Sequence, residues 1–449
     1  MNIRLAACDP CRSAKLACGH EQPTCVRCRN RGQIESCIYR NQPFKRRKTF
    51  SRRPAARIEK SRTIATAAPQ PHRYPNPGFL GSSSYSTILS QVSSSTGVST
   101  INTTHQTDPT LLLVKDQVAI SKSTDALKQL LQFDIANLIS LVEFWLGEGV
   151  NLPLAGPLVA LFTEAVSQMW DEIPSTSPSA PQLSDWVSSR AVLLLKNTHE
   201  PINLHRDTTM NDFLAQMISD KLRWETIGLF LTAAGRAVLD TMSFSPLYSN
   251  EDQRRDLVKN LTYLADSCLE MCISVDHLND LQIVLQYENL VVHSQIDGDE
   301  SYHCWRRMGD LSSSLFALGF HEAIDEATSS IPRFIAELRR STFARTYTAD
   351  KSLAVFLGRP PRIIKAYCDF QLPSFSSDLC AGHLSPRVDG SQRPSATPGA
   401  DVDELAVASK EPIDYTADTR CSATFAFLKE DILALARRRS SADIRNEAE

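Results

Sequence analysis

The chain lacks most of the features that assign a protein quickly. It opens MNIRLAAC, with no charged-then-apolar leader and no small-residue cleavage site, so a secretory signal is not expected. No run reaches the roughly 18 uninterrupted apolar residues of a membrane-spanning helix. The best candidate, 127–146, is broken by Lys128, Gln129, Gln132, Asp134, Asn137 and Glu143, and no membrane partner is expected. The patterns GxxxxGKS/T, HExxH and GxSxG are missing, which removes the commonest phosphate-loop, zinc-protease and hydrolase signatures. No strand-like alternation persists and no fixed repeat is visible. The expectation is a soluble chain, not an enzyme, in a reducing compartment. Cysteines there serve metal or catalysis more often than disulfides.

Strong net charge is also absent: the balance over 449 residues is −3. Its distribution is uneven. Residues 1–53 hold 13 basic side chains against Asp9, Glu21 and Glu35, a net of +10, which leaves 35 basic and 48 acidic groups, a net of −13, for the rest. A basic head on an acidic body points to a polyanion as partner of the head alone.

Four regions follow from composition. Residues 1–40 form a cysteine unit. Residues 41–125 read as a disordered linker, basic at first (NQPFKRRKTFSRRP), then Pro-rich, then Ser/Thr-rich, with too little apolar content to offset ordering. From 126 the pattern turns helical: Leu127, Leu131, Ile135, Leu138, Leu141 and Trp145 recur at steps of three and four, as one helix face requires. That patterning, without strands, runs to about 372 and predicts an all-α domain. Residues 373–449 read as a low-complexity gap and a C-terminal segment with one helix, FAFLKEDILALARRR. The predicted fold class is mostly α.

Cysteine is what the head has in abundance: six of the chain's 12 fall by position 37. Cys8, Cys11, Cys18, Cys25, Cys28 and Cys37 are spaced C-x2-C-x6-C-x6-C-x2-C-x8-C. Tetrahedral zinc takes four ligands, so one zinc would leave two thiols idle. Two zincs need eight ligand positions from six sulfurs, so two thiolates must bridge. The pseudo-repeat C-x2-C-R points to Cys8 and Cys25 as the bridges. Cys11 and Cys18 then complete one metal, Cys28 and Cys37 the other. Arg12, Lys15, Arg27 and Arg29 offset the cluster's negative charge. So small a unit has almost no core, and metal binding should supply most of its folding free energy. Unrelated core cysteines would not give two C-x2-C pairs so close together. A RING- or LIM-like cross-brace recruiting His20 would leave one cysteine unused and the basic loading unexplained.

These residues resemble the fungal two-zinc, six-cysteine binuclear cluster DNA-binding domain. The resemblance covers residues 1–40 and rests on Ala7, Cys8, Asp9, Cys11, Arg12, Lys15, Leu16 and Cys18, then Pro23, Cys25, Cys28, Arg29, Gly32, Cys37 and Tyr39. It implies two Zn2+ per chain and a short helix that enters the major groove of double-stranded DNA at a CGG half-site. The lysine matching Lys15 makes base contacts, basic residues of the second helix touch phosphates, and the proline matching Pro23 shapes the loop between halves. Ala14 and Ala17 stand where many members are basic, leaving Lys15 and backbone carbonyls at the helix end as the main base readers. Elementary chemistry agrees: lysine donates to guanine O6 or N7, while Arg12, Arg27, Arg29 and Arg31 suit phosphate contacts. Lys45, Arg46, Arg47 and Lys48 read as a nuclear import signal.

Residues 215–365 resemble the fungal-specific transcription factor regulatory domain (the middle homology region). The match lies in Trp224–Ala234, Trp305–His321 and Glu337–Ile363, with Arg339, Arg340, Phe343, Tyr347, Asp350, Gly358, Arg359, Pro360 and Pro361 in the family's order. The family's tryptophan before the aspartate is missing. Gly358 suits a helix cap, and Asp350 is placed to pair with Arg345 or Arg359. Cys268 and Cys272 read as buried helix cysteines, since no third metal ligand is near. The two resemblances together imply a nuclear transcription factor acting on RNA polymerase II genes, in a metabolic or secondary-metabolite pathway, with the transcription machinery as a further partner. The competing reading is a zinc-dependent protein-interaction module on a helical scaffold. No sustained heptad run appears between 41 and 125, so a monomer and a body-mediated homodimer both remain open.

Overall fold

A computed structural model of the chain describes residues 7–39, 78–81, 84–85, 116–173, 180–369, 371–374 and 415–436. It divides into two units, Met1–Ala65 and Thr66–Glu449. The architecture is helical throughout: among the described residues there is no β-strand, and one isolated bridge joins Phe244 and Tyr248. Lys45, Arg46, Arg47 and Lys48 lie outside the described residues.

The first unit contains two one-turn helices, α1 (Asp9–Ser13) and α2 (Val26–Asn30), set around the cysteines. The second begins with α3 (Gln117–Leu130) and α4 (Ile135–Gly147). One continuous helix was expected across this stretch from its periodicity. Instead the chain bends by 75° between them. Asp134 explains the break: its carboxylate accepts the Asn137 backbone N–H at 3.2 Å and so starts a new helix. Asp116 caps α3 in the same way. Among the described residues no single helix is long and apolar enough to cross a membrane.

There follow α5 (Gly156–Asp171), α6 (Ala180–His199), the short α7 (Met210–Leu214), α8 (Trp224–Asp240), α9 (Glu251–Ser274), α10 (Asp280–Ile296), α11 (Tyr302–Ala317), α12 (Arg333–Leu357) and α13 (Thr416–Ala436). Helix α8 is the axis of the core. It is buried from Trp224 through Val238 except at half-buried Arg236, as a helix enclosed by others in a core must be. It packs on α9 and α10, and Gly228 permits the approach: a Cβ there would sit 2.7 Å from Leu285 Cδ2 and 3.2 Å from Cys268 Cβ. Cys268 and Cys272 are fully buried in this seam, and burial pushes both thiols up, away from the reactive thiolate.

Polar side chains in the core are tied to backbone or to each other. Arg223 pairs with buried Glu225 and donates to the carbonyls of Thr198 and Glu200. His293 lies between Asp266 (3.0 Å) and Asp297 (2.6 Å), and Arg307 holds Asp266 at 2.6 Å. Glu288 reaches across to accept the N–H groups of Leu154 (2.7 Å) and Ala155 (3.2 Å). Burial pushes its carboxyl up to about 7.

The Asp350 region differs from expectation. Asp350 pairs with neither Arg345 nor Arg359. It accepts the backbone N–H groups of Arg362 (2.9 Å) and Ile363 (3.0 Å), and the ammonium of fully buried Lys351 lies 2.8 Å away. The carboxylate thus ties the Gly358–Arg362 turn back onto α12, and Gly358 supplies the left-handed cap (φ 64) that the turn needs. Lys351 also faces Glu430 of α13 at 3.3 Å and sits 4.1 Å from the Tyr347 ring centroid. Helix α13 therefore packs on α12 as part of the helical body.

Candidate metal centre and nucleic-acid interface

The head is built twice over. Cys8 and Cys25 stand at the N-caps of α1 and α2 in extended conformation, and Cys11 and Cys28 lie one turn on, facing inward. The caps repeat bond for bond: Arg12 N–H to Cys8 O and Arg29 N–H to Cys25 O, both 3.0 Å; Leu16 N–H to Cys11 O and Gln33 N–H to Cys28 O, both 2.9 Å. Each helix ends in a Schellman turn with one left-handed residue. In the second half that residue is Gly32 (φ 67); in the first it is Lys15 (φ 52). The ends of the unit are joined by Asp9 N–H to Ile38 O at 3.0 Å. Glu21 braces the loop between the halves: its carboxylate accepts Val26 N–H at 3.1 Å and its carbonyl accepts the Tyr39 hydroxyl at 3.1 Å. The Gln22–Pro23 bond in that loop is cis.

All six cysteines carry free thiols. Cys8, Cys11, Cys25, Cys28 and Cys37 are buried, and Cys18 is half-buried. The ligand atoms of Cys8, Cys11, Cys25 and Cys28 lie within 4.8 Å of one another. Cys8 Sγ is 3.8 Å from Cys25, 3.7 Å from Cys28 and 3.7 Å from Cys18, and Cys25 Sγ is 3.8 Å from Cys11. These spacings test the fit to zinc. Four sulfurs about 2.3 Å from a tetrahedral Zn2+ stand about 3.8 Å apart. The donors are also the soft thiolates that zinc takes in closed structural sites. Cys8 Sγ lies beside Cys18 of one expected ligand set and Cys28 of the other.

The electrostatics are those of a sulfur cage in need of positive charge. Burial pushes the Cys28 thiol up to about 12 and raises Cys8 and Cys11 as well. The Cys28 backbone N–H, donated to Cys25 Sγ at 3.4 Å, lowers Cys25 to about 6. A bound dication would reverse the upward shifts, because a coordinating thiol is deprotonated outright.

Arg12, Lys15, Arg27, Arg29 and Arg31 are all exposed, on the outside of the cysteine core. Lys15 stands just past the end of α1, and Arg31 is the C-cap of α2. Sequence reading singled out Lys15 for its side chain and missed its left-handed backbone. Aligning the two C-x2-C-R halves places Lys15 opposite Gly32, which is the signal that was there to be used.

Comparison with known proteins agrees with this geometry. Residues 6–47 match the family described as the fungal Zn(2)-Cys(6) binuclear cluster domain. The head is thus similar to zinc-cluster domains of that kind, and the match together with the clustered sulfurs indicates that it binds zinc. Over 34 residues the chain is 56% identical to transcription factor tstO of Talaromyces stipitatus, a stretch covering 8% of this chain and 6% of that protein. No solved structure matches.

Proposed function

We propose that this chain is a zinc-dependent, sequence-specific DNA-binding transcription factor, acting in the nucleus on RNA polymerase II genes. The observation that carries the reading is the head: five thiols, Cys8, Cys11, Cys18, Cys25 and Cys28, linked at zinc-cluster spacing, with Cys37 Sγ accepting the Cys25 N–H beside them and exposed Arg12, Lys15, Arg27, Arg29 and Arg31 around the outside. Two Zn2+ are held, with Cys8 and Cys25 bridging, Cys11 and Cys18 completing one site, and Cys28 and Cys37 the other. Lys15 and the carbonyls at the end of α1 read a CGG-type half-site in the major groove, and the arginines fix register on phosphates. The run Lys45–Lys48 directs nuclear import and adds phosphate contacts. The helical body is a regulatory domain, and the genes controlled belong to a metabolic or secondary-metabolite pathway.

Selection of bound sequences from random duplex DNA tests this reading, with zinc-loaded protein and a chelated control. Enrichment of CGG-containing sites that disappears on chelation is expected. A folded, zinc-loaded protein that enriches no sequence would overturn the reading and favour a protein-docking role for the head.

A further inference from the structure

Helix α10 carries two glutamines one turn apart, Gln282 and Gln286, in a stretch that is otherwise core. Both are buried, 3% and 7% exposed, and the side-chain oxygen of each has no hydrogen-bond partner. A buried carboxamide oxygen without a donor costs stability, so two of them in succession call for a missing partner. Both side chains line one cleft, of about 490 Å3, formed by the end of α9, the turn after it, α10 and α11. That volume lies within the roughly 300–1,000 Å3 usual for small-molecule sites. We infer that this cleft binds a small zwitterion of the amino-acid or short-peptide class, with Gln282, Gln286, Arg306 and Asp310 as its polar contacts.

The lining cannot satisfy the glutamines from within. Its two hydroxyls, Ser313 and Ser314, donate inside α11, to Gly309 O at 2.9 Å and Asp310 O at 3.0 Å. A half-turn about the last side-chain bond exchanges a carboxamide's oxygen and nitrogen. Each glutamine therefore accepts from, or donates to, whatever enters.

The charges of the lining select the ligand. Arg306 and Asp310 stand one turn apart on α11, where opposite charges commonly pair. Among the described residues neither enters an ion pair. Asp276, in the turn before α10, adds a second carboxylate. A ligand with only an ammonium would meet the Arg306 guanidinium as a like charge. One with only a carboxylate would meet Asp276 and Asp310. A molecule bearing both groups directs its carboxylate to the guanidinium and its ammonium to the carboxylates. Leu278 and Ile273 supply an apolar wall for the ligand's own side chain.

The test is ligand-observed NMR and calorimetry on the full zinc-loaded chain without DNA. The probes are the 20 common amino acids and the dipeptides Gly-Leu and Leu-Gly, which separate the two sources of a zwitterion. Each binder is compared with the matching amine and the matching carboxylic acid. At least one zwitterion should bind with a Kd below about 1 mM, and its amine and acid about tenfold or more weakly, since each lacks one charge-assisted contact. Arg306→Gln should keep the wild-type melting temperature, because Arg306 is exposed, and should weaken binding about tenfold. Gln286→Met keeps the length of the side chain and removes the partnerless oxygen. It should lose binding without lowering the melting temperature of the unliganded chain. No binding by any probe up to about 10 mM would overturn the inference, as would an amine or acid that binds as well as its zwitterion. Unchanged binding in Arg306→Gln or Gln286→Met would also overturn it. The assay involves neither DNA nor the contacts of the head, so its failure is separate from any failure of the DNA-binding reading.

Discussion

On the proposed function, stability and DNA reading are opposed at Lys15, and replacing it with glycine separates the two. The two halves of the head end their helices with the same pair of hydrogen bonds, yet one uses Gly32 at φ 67 and the other Lys15 at φ 52. The left-handed region costs an L-residue roughly 1–2 kcal/mol, while glycine gives back about 0.5–1 kcal/mol through its freer unfolded chain. Lys15→Gly should therefore stabilise the head by about 0.5–1 kcal/mol. Folding of so small a unit is linked to its metal, so chelator competition should show zinc held about two- to fivefold more tightly. The same substitution removes the side chain proposed to read the base. Discrimination between CGG and altered half-sites in fluorescence anisotropy should fall about tenfold, with non-specific binding little changed. Gly32→Ala is the control. A Cβ there meets nothing within 4 Å, so only the backbone is taxed, and zinc should be held more weakly with half-site discrimination unchanged. Weaker zinc retention in Lys15→Gly would refute the backbone argument, and a uniform loss of affinity for all sequences would recast Lys15 as a phosphate contact.

Cys25→Ala removes a thiolate proposed to bridge, so the zinc count by elemental analysis should fall to zero; a chain retaining two zincs would contradict the bridging assignment. Glu288 carries a carboxyl raised from the ordinary 4.5 to about 7, so the folded state binds its proton more tightly than the unfolded chain does. Stability from this group is complete below pH 4.5 and is lost as the pH rises through about 7. Glu288→Gln should flatten the melting temperature over that window while matching wild type at its acid end, and an unchanged slope would show that other groups set it. Replacing Lys45–Lys48 with alanine should shift a fluorescent fusion from nucleus to cytoplasm, and an undiminished nuclear signal would remove the import assignment.

The sequence carried the head more fully than the body. Two C-x2-C pairs within 30 residues leave little freedom, and the sulfurs of both pairs, Cys8, Cys11, Cys25 and Cys28, converge as their spacing requires. The helical patterning from 126 to about 372 likewise announced a helical body, because an apolar face must repeat at 3.6 residues wherever it packs. What stayed hidden depends on partners distant in sequence. Asp350 was matched with Arg345 or Arg359, the cations that look available; the structure gives it a buried lysine next door and two backbone N–H groups beyond the turn. Burying Lys351 is tolerable only with Asp350, Glu430 and Tyr347 all in place, and no local pattern encodes that meeting. The break at Asp134 was legible in principle, since Asp is a preferred N-cap, but the apolar periodicity ran through it and masked the cap.

The central claim is that two zinc ions make the head a DNA reader. The most direct test is native mass spectrometry of the full chain during stepwise chelation, with binding to a CGG-containing duplex followed in parallel. Two zincs per chain are predicted, with DNA binding lost in step with their removal. A single zinc in fully active protein, or DNA binding that survives in the metal-free chain, would contradict it.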